Sequence, residues 1–477
     1  MKNDNKQFLK YGMLTMLVAA SASADALEKP KTMEDMWKII QAQQKQIDEM
    51  KAGIQVQPEK AVVATGDVKK LERKTDILSQ EVEKLRTNLA IPDEVQYKSA
   101  YGLGPAASKV YQVGKGLSIG GYGEANYQVR VDDQGERDNG KLKNPDNADL
   151  ERLVLYAGYK FTDNILFNSE IEFEHASVEG SGNGNGDVSI EFAALDFFIN
   201  PMANVRAGMV LIPMGFINQI HEPPFYFGNN RPEVERQIIP STWREVGVGL
   251  FGELLPNLTY TTYVVNGMDA ADFSGAGIRS GRQKGAQALA EDLAFVGRVD
   301  YAPAVLPGVS FGSSAYLGNS GQNQTFDGQK VDAFTQLYEG HVQWKYRGLE
   351  FRTLGSWGHI DDAGVLSAYR KNNALKDATV GEENYGWYTE VGYDVLPLLF
   401  RDTTQYLAPF FRYEQMDTIA SVAPGFSDDE TKDREIYQFG LQYKPIPNVV
   451  IKADYRNFKA KKGSVPDDFN LGFGFIF

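Results

Sequence analysis

The last ten residues constrain this chain more than any other stretch. Phe469, Leu471, Phe473, Phe475 and Phe477 occupy alternate positions, with Asn470, Gly472 and Gly474 between them and Ile476 the one apolar intruder. A period of two puts the two sets on opposite faces of a β-strand. One face is then almost wholly aromatic and the other small or polar. In a water-soluble sandwich, five bulky groups along an open edge would invite aggregation. In a membrane barrel the same strand turns its aromatics to lipid and its small face to a lumen, and closure removes the edge. Such a barrel needs about fifteen further strands and a route out of the cytoplasm.

The N-terminal region predicts that route. Lys2, Lys6 and Lys10 precede an apolar run from Tyr11 to Ala20, followed by Ser21-Ala22-Ser23-Ala24. This is the pattern of a signal peptide over residues 1–24, and its apolar run is too short to span a bilayer. Over residues 25–92, Met33, Ile40, Ile47 and Ile54 recur every seven positions, and after a break Leu71, Leu78 and Leu85 do the same. Heptads predict a periplasmic α-helical coiled coil that self-associates. Residues 93–115 read as a linker, and the barrel as residues 116–477. Although 42% of the chain is apolar, no run reaches the length of a membrane helix, which excludes a helical bundle.

From residue 116 the alternation persists. The predicted strands are 116–130, 150–160, 164–176, 187–199, 203–210, 243–253, 257–266, 293–302, 308–318, 332–346, 348–359, 383–396, 405–416, 433–444, 448–458 and 467–477. Short connections alternate with long ones rich in Gly, Asn and Asp, as periplasmic turns and extracellular loops do. The fold class is therefore all-β: a sixteen-stranded antiparallel transmembrane β-barrel behind an N-terminal coiled coil.

Parity assigns faces. Ile165, Phe167, Ile171 and Phe173 share the lipid face, so Glu170, Glu172 and Glu174 point into the lumen; so do Arg412 and Glu414, and Lys452 with Arg456. A charged group on the lipid face costs about 2–4 kcal/mol at mid-membrane for Arg or Lys, which penalises the opposite register. The pattern predicts a basic side near Arg130, Arg152, Arg412, Lys452 and Arg456 facing an acidic side near Glu170, Glu172 and Glu174. Opposed charges across an aqueous eyelet create a transverse field.

The segment 211–242 is too long to be idle in a compact fold. It is partly apolar and stiffened by five prolines, which predicts a constriction loop tucked into the lumen, or else a clamp over a neighbouring subunit. It offers His221, Glu222, Arg231, Glu233, Glu235 and Arg236. Two arginines against three glutamates leave His221 to tip the balance, predicting weak ion selectivity at pH 7 that moves toward anions near pH 5. A separate cluster, Arg279, Arg282 and Lys284, could meet lipopolysaccharide phosphates, gather anions or simply be solvated.

Other chemistry finds little support. The chain has no cysteine and four histidines, His175, His221, His341 and His359. None has metal-ligand spacing, so no metal site or cofactor is expected, and no motif supports an enzyme. The net charge of -14 falls wholly beyond residue 94 and carries no nucleic-acid footprint.

Arg231-Pro232-Glu233-Val234-Glu235-Arg236, then Ile238-Ile239-Pro240-Ser241-Thr242-Trp243 and Gly247-Val248-Gly249-Leu250-Phe251-Gly252-Glu253, resembles the porin O/P family of bacterial outer membranes, the so-called phosphate-selective porins. The resemblance covers roughly residues 95–477. It implies a homotrimeric channel whose third long loop folds inward. The expected function is passive diffusion of small hydrophilic solutes and ions across the outer membrane, with the coiled coil in the periplasm. An anion- or phosphate-selective porin and a barrel anchoring a periplasmic spacer are the alternatives. Outer-membrane lipid, lipopolysaccharide and the barrel assembly machinery are the expected partners, the last reading Phe477 as an insertion signal.

Overall fold

The computed structural model describes residues 98–131, 137–138, 141–142, 145–176 and 186–477, together with Lys45. The predicted signal peptide and coiled coil otherwise lie outside the described residues. Sixteen strands, each hydrogen-bonded to its neighbour in sequence, form a closed antiparallel barrel. They are β1 (Gly116–Arg130), β2 (Asn147–Lys160), β3 (Ile165–Glu174), β4 (Val188–Asn200), β5 (Ala203–Leu211), β6 (Arg244–Leu255), β7 (Leu258–Asn266), β8 (Leu293–Tyr301), β9 (Val309–Gly318), β10 (Thr335–Tyr346), β11 (Leu349–Ile360), β12 (Glu383–Tyr393), β13 (Tyr406–Ser421), β14 (Arg434–Ile446), β15 (Val449–Ala460) and β16 (Asp468–Ile476). Every predicted strand is present. The main differences are a later start at Thr335, an extension to Ser421, and an earlier end at Tyr393, with a helical turn Leu396–Leu399 at the start of the connection that follows. Pro397 lies in the first turn of that helix, where its missing N–H costs nothing.

The pleat sorts the side chains as alternation requires. Phe469, Leu471 and Phe473 stand exposed on the outer face of β16, whereas the alternating Asp468 and Asn470 are fully enclosed. The barrel closes between β1 and β16. There Phe477 exchanges both backbone hydrogen bonds with Gly121, at 3.0 and 2.9 Å. A β-carbon on Gly121 would fall 2.6 Å from the Phe477 ring, so only glycine lets the last ring lie flat across the seam.

The hydrophobic core sits inside the lumen. Ile212, Met214, Val234 and Ile238 of the 211–242 segment and the adjoining Trp243 pack against inward-facing Tyr263, Tyr316, Leu337, Leu354 and Tyr388. Residues 98–112, read from the sequence as part of a linker, also fold within the wall: Leu103, Ala106 and Ala107 pack against Tyr122 of β1 and Val154 and Tyr156 of β2. They occupy the end of the barrel that carries the short turns.

Candidate functional site

The chain between β5 and β6 is clasped at its base. Ile212 donates its N–H to Trp243 O at 3.0 Å. The Asn218 amide gives hydrogen bonds to Ile212 O (2.6 Å) and Trp243 O (2.8 Å) and accepts one from Trp243 N (2.7 Å). Between these points the chain turns into the lumen. Pro232 leads into a short helix, Glu233–Gln237, whose Val234 and neighbouring Ile238, Ile239 and Trp243 are the apolar seat. The Arg231–Trp243 stretch is thus largely the means of seating this loop.

Charged groups of the wall then latch it. Arg298 of β8 donates to Gly215 O, and Arg352 of β11 to Phe225 O. Arg412 of β13 donates to Phe227 O and Asn230 O, each at 3.1 Å, and Lys452 of β15 to Gly228 O at 2.8 Å. In the opposite sense Glu414 accepts from Val234 N at 3.0 Å, Asp454 from Asn229 N at 2.8 Å and Glu124 from the Tyr226 hydroxyl at 2.7 Å. Charged hydrogen bonds to backbone are the strong kind. Arg412 is wholly enclosed. Arg412 and Lys452, expected to line open water, therefore hold the loop.

The predicted acidic and basic sides do not separate. The registers of β2 with its two neighbours set Arg152 opposite Glu124 of β1 and Glu174 of β3. Arg152 consequently lies 3.1 Å from Glu124, 2.7 Å from Glu151 and 3.6 Å from Glu172. Arg130 and Arg456 share Asp468, at 2.8 and 2.7 Å, and Arg456 reaches Glu233 at 3.3 Å. Neighbouring strands interleave the two signs, so most charges neutralise locally.

The loop's own titratable groups are also redistributed. His221 Nε2 lies 3.0 Å from Glu170 and Nδ1 lies 3.2 Å from Asn218 O. Burial, reinforced by the Arg231 charge, pushes its pKa down to about 3. It stays neutral from pH 7 to pH 5 and cannot be the switch the sequence suggested. Glu222 turns toward the 98–112 segment and accepts from Ala106 N (2.9 Å) and Ala107 N (3.2 Å). Glu235 accepts from Ile217 N (2.7 Å) and the Tyr388 hydroxyl (2.6 Å). Glu233 is paired with Arg236 at 2.7 Å as well as with Arg456.

What remains is cationic. At the long-loop end a polar cavity of about 290 Å³ is lined by Arg130, Arg152, Arg231, Arg236, Arg279 and Arg456, with Glu151, Glu174 and Glu233. Nε and Nη2 of Arg231 are buried there and have no hydrogen-bond partner among the described residues. Arg279 donates to Arg236 O (2.8 Å) and Ser241 O (2.9 Å). Burial and the cations Arg282, Arg236 and Arg231 push its pKa down to about 9. Arg282 likewise donates to Pro240 O and Ser241 O. These two arginines tie the 267–292 loop to the constriction loop rather than standing free. A second cavity, of about 760 Å³, opens at the short-turn end beside Tyr101, Gln219, Phe251, Arg298 and Asp300. The two cavities share no lining residue. Arg298, Arg352, Glu124 and Asp468 were not singled out from the sequence, although the same alternation places each on an inward position.

No protein-family model matches the chain. A protein of Aquifex aeolicus (strain VF5), described as uncharacterized, is 40% identical over 393 residues, covering 80% of this chain and 84% of that one. Among solved structures, Salmonella typhi OmpF in complex with daunomycin superposes with a TM-score of 0.51 at 11% identity, over 76% of this chain and 98% of that one. The DcaP channel of Acinetobacter baumannii gives 0.46 at 14% identity, over 76% and 97%. The fold is that of the outer-membrane porins.

Proposed function

Because this chain belongs to one family with the Aquifex aeolicus protein and carries the porin fold, we propose that it is an outer-membrane porin for passive diffusion of small hydrophilic solutes. One observation carries the reading. A closed barrel presents apolar side chains outward and charged ones inward, and its longest loop is latched across the lumen. Lipid solvates the first surface, and water and solute the second. The short-turn end is then periplasmic and the long-loop end extracellular, with the N-terminal region in the periplasm and three copies forming the assembly. The Arg231–Trp243 motif supports membership of the porin O/P family, through the way the loop is seated and not through any solute. Purified protein added to a planar bilayer should give discrete conductance steps. A folded, inserted barrel with none refutes the function.

A preference for anions is the second reading, favoured by Arg231 and Arg279. Neither has a carboxylate within ion-pair distance among the described residues, and both border the extracellular cavity. A carboxylate or phosphate entering there can satisfy the open Arg231 donors in place of its own hydration shell. The net negative charge of the chain does not decide the matter, because carboxylates outside the pore are screened within about 8–10 Å. The reversal potential in a salt gradient should fall on the anion side of zero. A cation-side value overturns this preference and leaves the porin reading standing.

A further inference from the structure

The outer face of the barrel is mostly apolar all round, but its rim at the long-loop end is not uniform. From β10 to β15 the rim is built of amphipathic rings: Tyr338 stands directly opposite Trp357, Trp357 opposite Tyr385, and Tyr413 opposite Tyr437. Their polar tips engage polar side chains. Tyr338 donates to Gln336 at 3.1 Å, Trp387 Nε1 to Gln415 at 3.3 Å and Tyr437 to Glu435 at 2.9 Å. Such a girdle is what the headgroup layer of a membrane selects. From β2 to β9 the same rim carries neither Tyr nor Trp on its outer side. Leu150, Phe173, Val188, Val246, Val264 and Leu293 stand there instead, 39–58% exposed, and Val188 and Leu293 are the first residues of β4 and β8. On β3 to β6 the short-turn rim lacks Tyr and Trp as well, although Tyr159, Tyr260, Tyr301, Trp344, Tyr393 and Tyr443 mark the rest of it.

Aliphatic groups at headgroup level lie in a wet layer, where burying apolar area still stabilises by about 25 cal/mol per Å². Lipid tails do not extend to that level, so the cover that suits these groups is protein. The dimensions fit another barrel. β2 to β9 are eight of the sixteen strands, half the circumference. Two cylinders side by side touch along a narrow strip, whereas a face this wide suits a closed ring in which each copy meets two neighbours. At a strand spacing of about 4.8 Å and a band height of about 25 Å the face covers roughly 1,000 Å², and one partner gives about 800 Å² to a standard interface. Rows of small residues do not decide the matter. Ala157, Ser169 and Ala193 form one across β2 to β4, but Ser313, Gly340 and Gly355 form another across β9 to β11. The second row lies between Tyr338 and Trp357 at one rim and Trp344 and Tyr346 at the other, which sets it against lipid.

We propose that the outer face of β2 to β9, centred near β5, is the surface through which copies of this chain pack against one another in the membrane, while β10 to β15 face lipid. The proposal rests on the membrane-barrel reading and assigns the contact face of its three-copy assembly. The absence of cysteine from the chain lets single thiols report on it. Leu195 on β4 and Val248 on β6 point outward, 37% and 50% exposed. Gly355 on β11 serves as the control, since a β-carbon there would meet only that of Trp387, at 3.8 Å. The full chain in proteoliposomes is treated with a flexible bis-maleimide and resolved under denaturing conditions. Covalent dimers are expected from Leu195→Cys, from Val248→Cys or from both, and none above the cysteine-free parent from Gly355→Cys. Dimers from Gly355→Cys as abundant as from the other two, or dimers from none of the three, overturn the proposal. A parent that runs as a single barrel in native sizing overturns it as well. Cross-linking reads the contact whether or not the barrel conducts, and planar-bilayer conductance reads the channel whichever face is covered, so failure of this face and failure of the porin reading are separable.

Discussion

Replacing Arg412 with alanine should free the constriction loop while leaving the barrel closed. Its guanidinium bonds Glu414 at 2.9 Å, Phe227 O and Asn230 O at 3.1 Å, Glu390 at 3.4 Å, and Gln438. Breaking a buried ion pair from one side costs about 3–5 kcal/mol, because the partner charge is left uncompensated. Two considerations favour the lower end. Glu390 keeps Arg352 at 3.5 Å, and water can follow the truncated side chain to the two carbonyls. About 3 kcal/mol remains, which is roughly two decades in the docking equilibrium of the loop. The wall itself is held by ladder hydrogen bonds to both neighbouring strands, so insertion should be normal. The assay is trypsin cleavage after Arg236 in the folded protein, read beside single-channel noise. Cleavage at least about tenfold faster than in the parent is expected, since proteolysis follows the population of the open form. Arg412→Lys should be nearly as loose, because a single ammonium cannot span partners arranged for a planar fork. Unchanged protection and unchanged current in Arg412→Ala would refute the latch.

Arg231→Glu should leave loop protection near the parent's, since Nε and Nη2 of Arg231 have no hydrogen-bond partner among the described residues, and should move the reversal potential toward cations; an unmoved potential would take Arg231 out of the ion path. Burial raises the Glu222 pKa to about 8 and the Glu235 pKa to about 7. Because the docked state then binds more protons than the undocked one, docking is strongest below the ordinary carboxyl value of 4.5 and weakens as pH rises through 7 to 8. Glu170 beside Glu222 adds to this, Arg352 near Glu235 opposes it, and Glu233, held low by Arg236 and Arg456 against its burial, acts only below 4.5. Mean conductance should therefore rise from pH 5 to pH 9, and a fall would contradict the sign; a move of the reversal potential toward anions between pH 7 and pH 5 should come from protonation of Glu235 and vanish in Glu235→Gln, His221 being neutral throughout. Deleting Phe477 removes two backbone bonds at the seam and should lower the yield of folded barrel; normal insertion would show that its ring and backbone are dispensable for closure.

The sequence by itself determined the barrel. Strand number, the lipid face and the lumenal face follow from a period of two, which is local, so Phe469 to Phe477 and Glu170 to Glu174 declare their sides without reference to anything distant. The inward fold of the 211–242 loop was legible for a related reason: apolar residues and prolines in a segment of that length require a seat. What tertiary structure alone decided is whom each inward charge meets. Arg412 and Arg456 look alike in the sequence, yet one is sealed under Phe227 and Asn230 and the other borders a cavity. Those carbonyls are more than 180 residues from Arg412 in the chain. A bulge opposite Glu170 and Ile171 also buries both Glu191 and Phe192, breaking the parity that elsewhere holds. The count of loop charges misled for the same reason: Glu222 and Glu235 are taken up by contacts with Ala106 and Ala107 and with Ile217 and Tyr388, leaving Arg231 without an ion-pair partner among the described residues. Faces follow from backbone geometry between adjacent residues, whereas charge balance in a lumen is set by closure of the wall around a loop, which brings together groups that no local pattern relates.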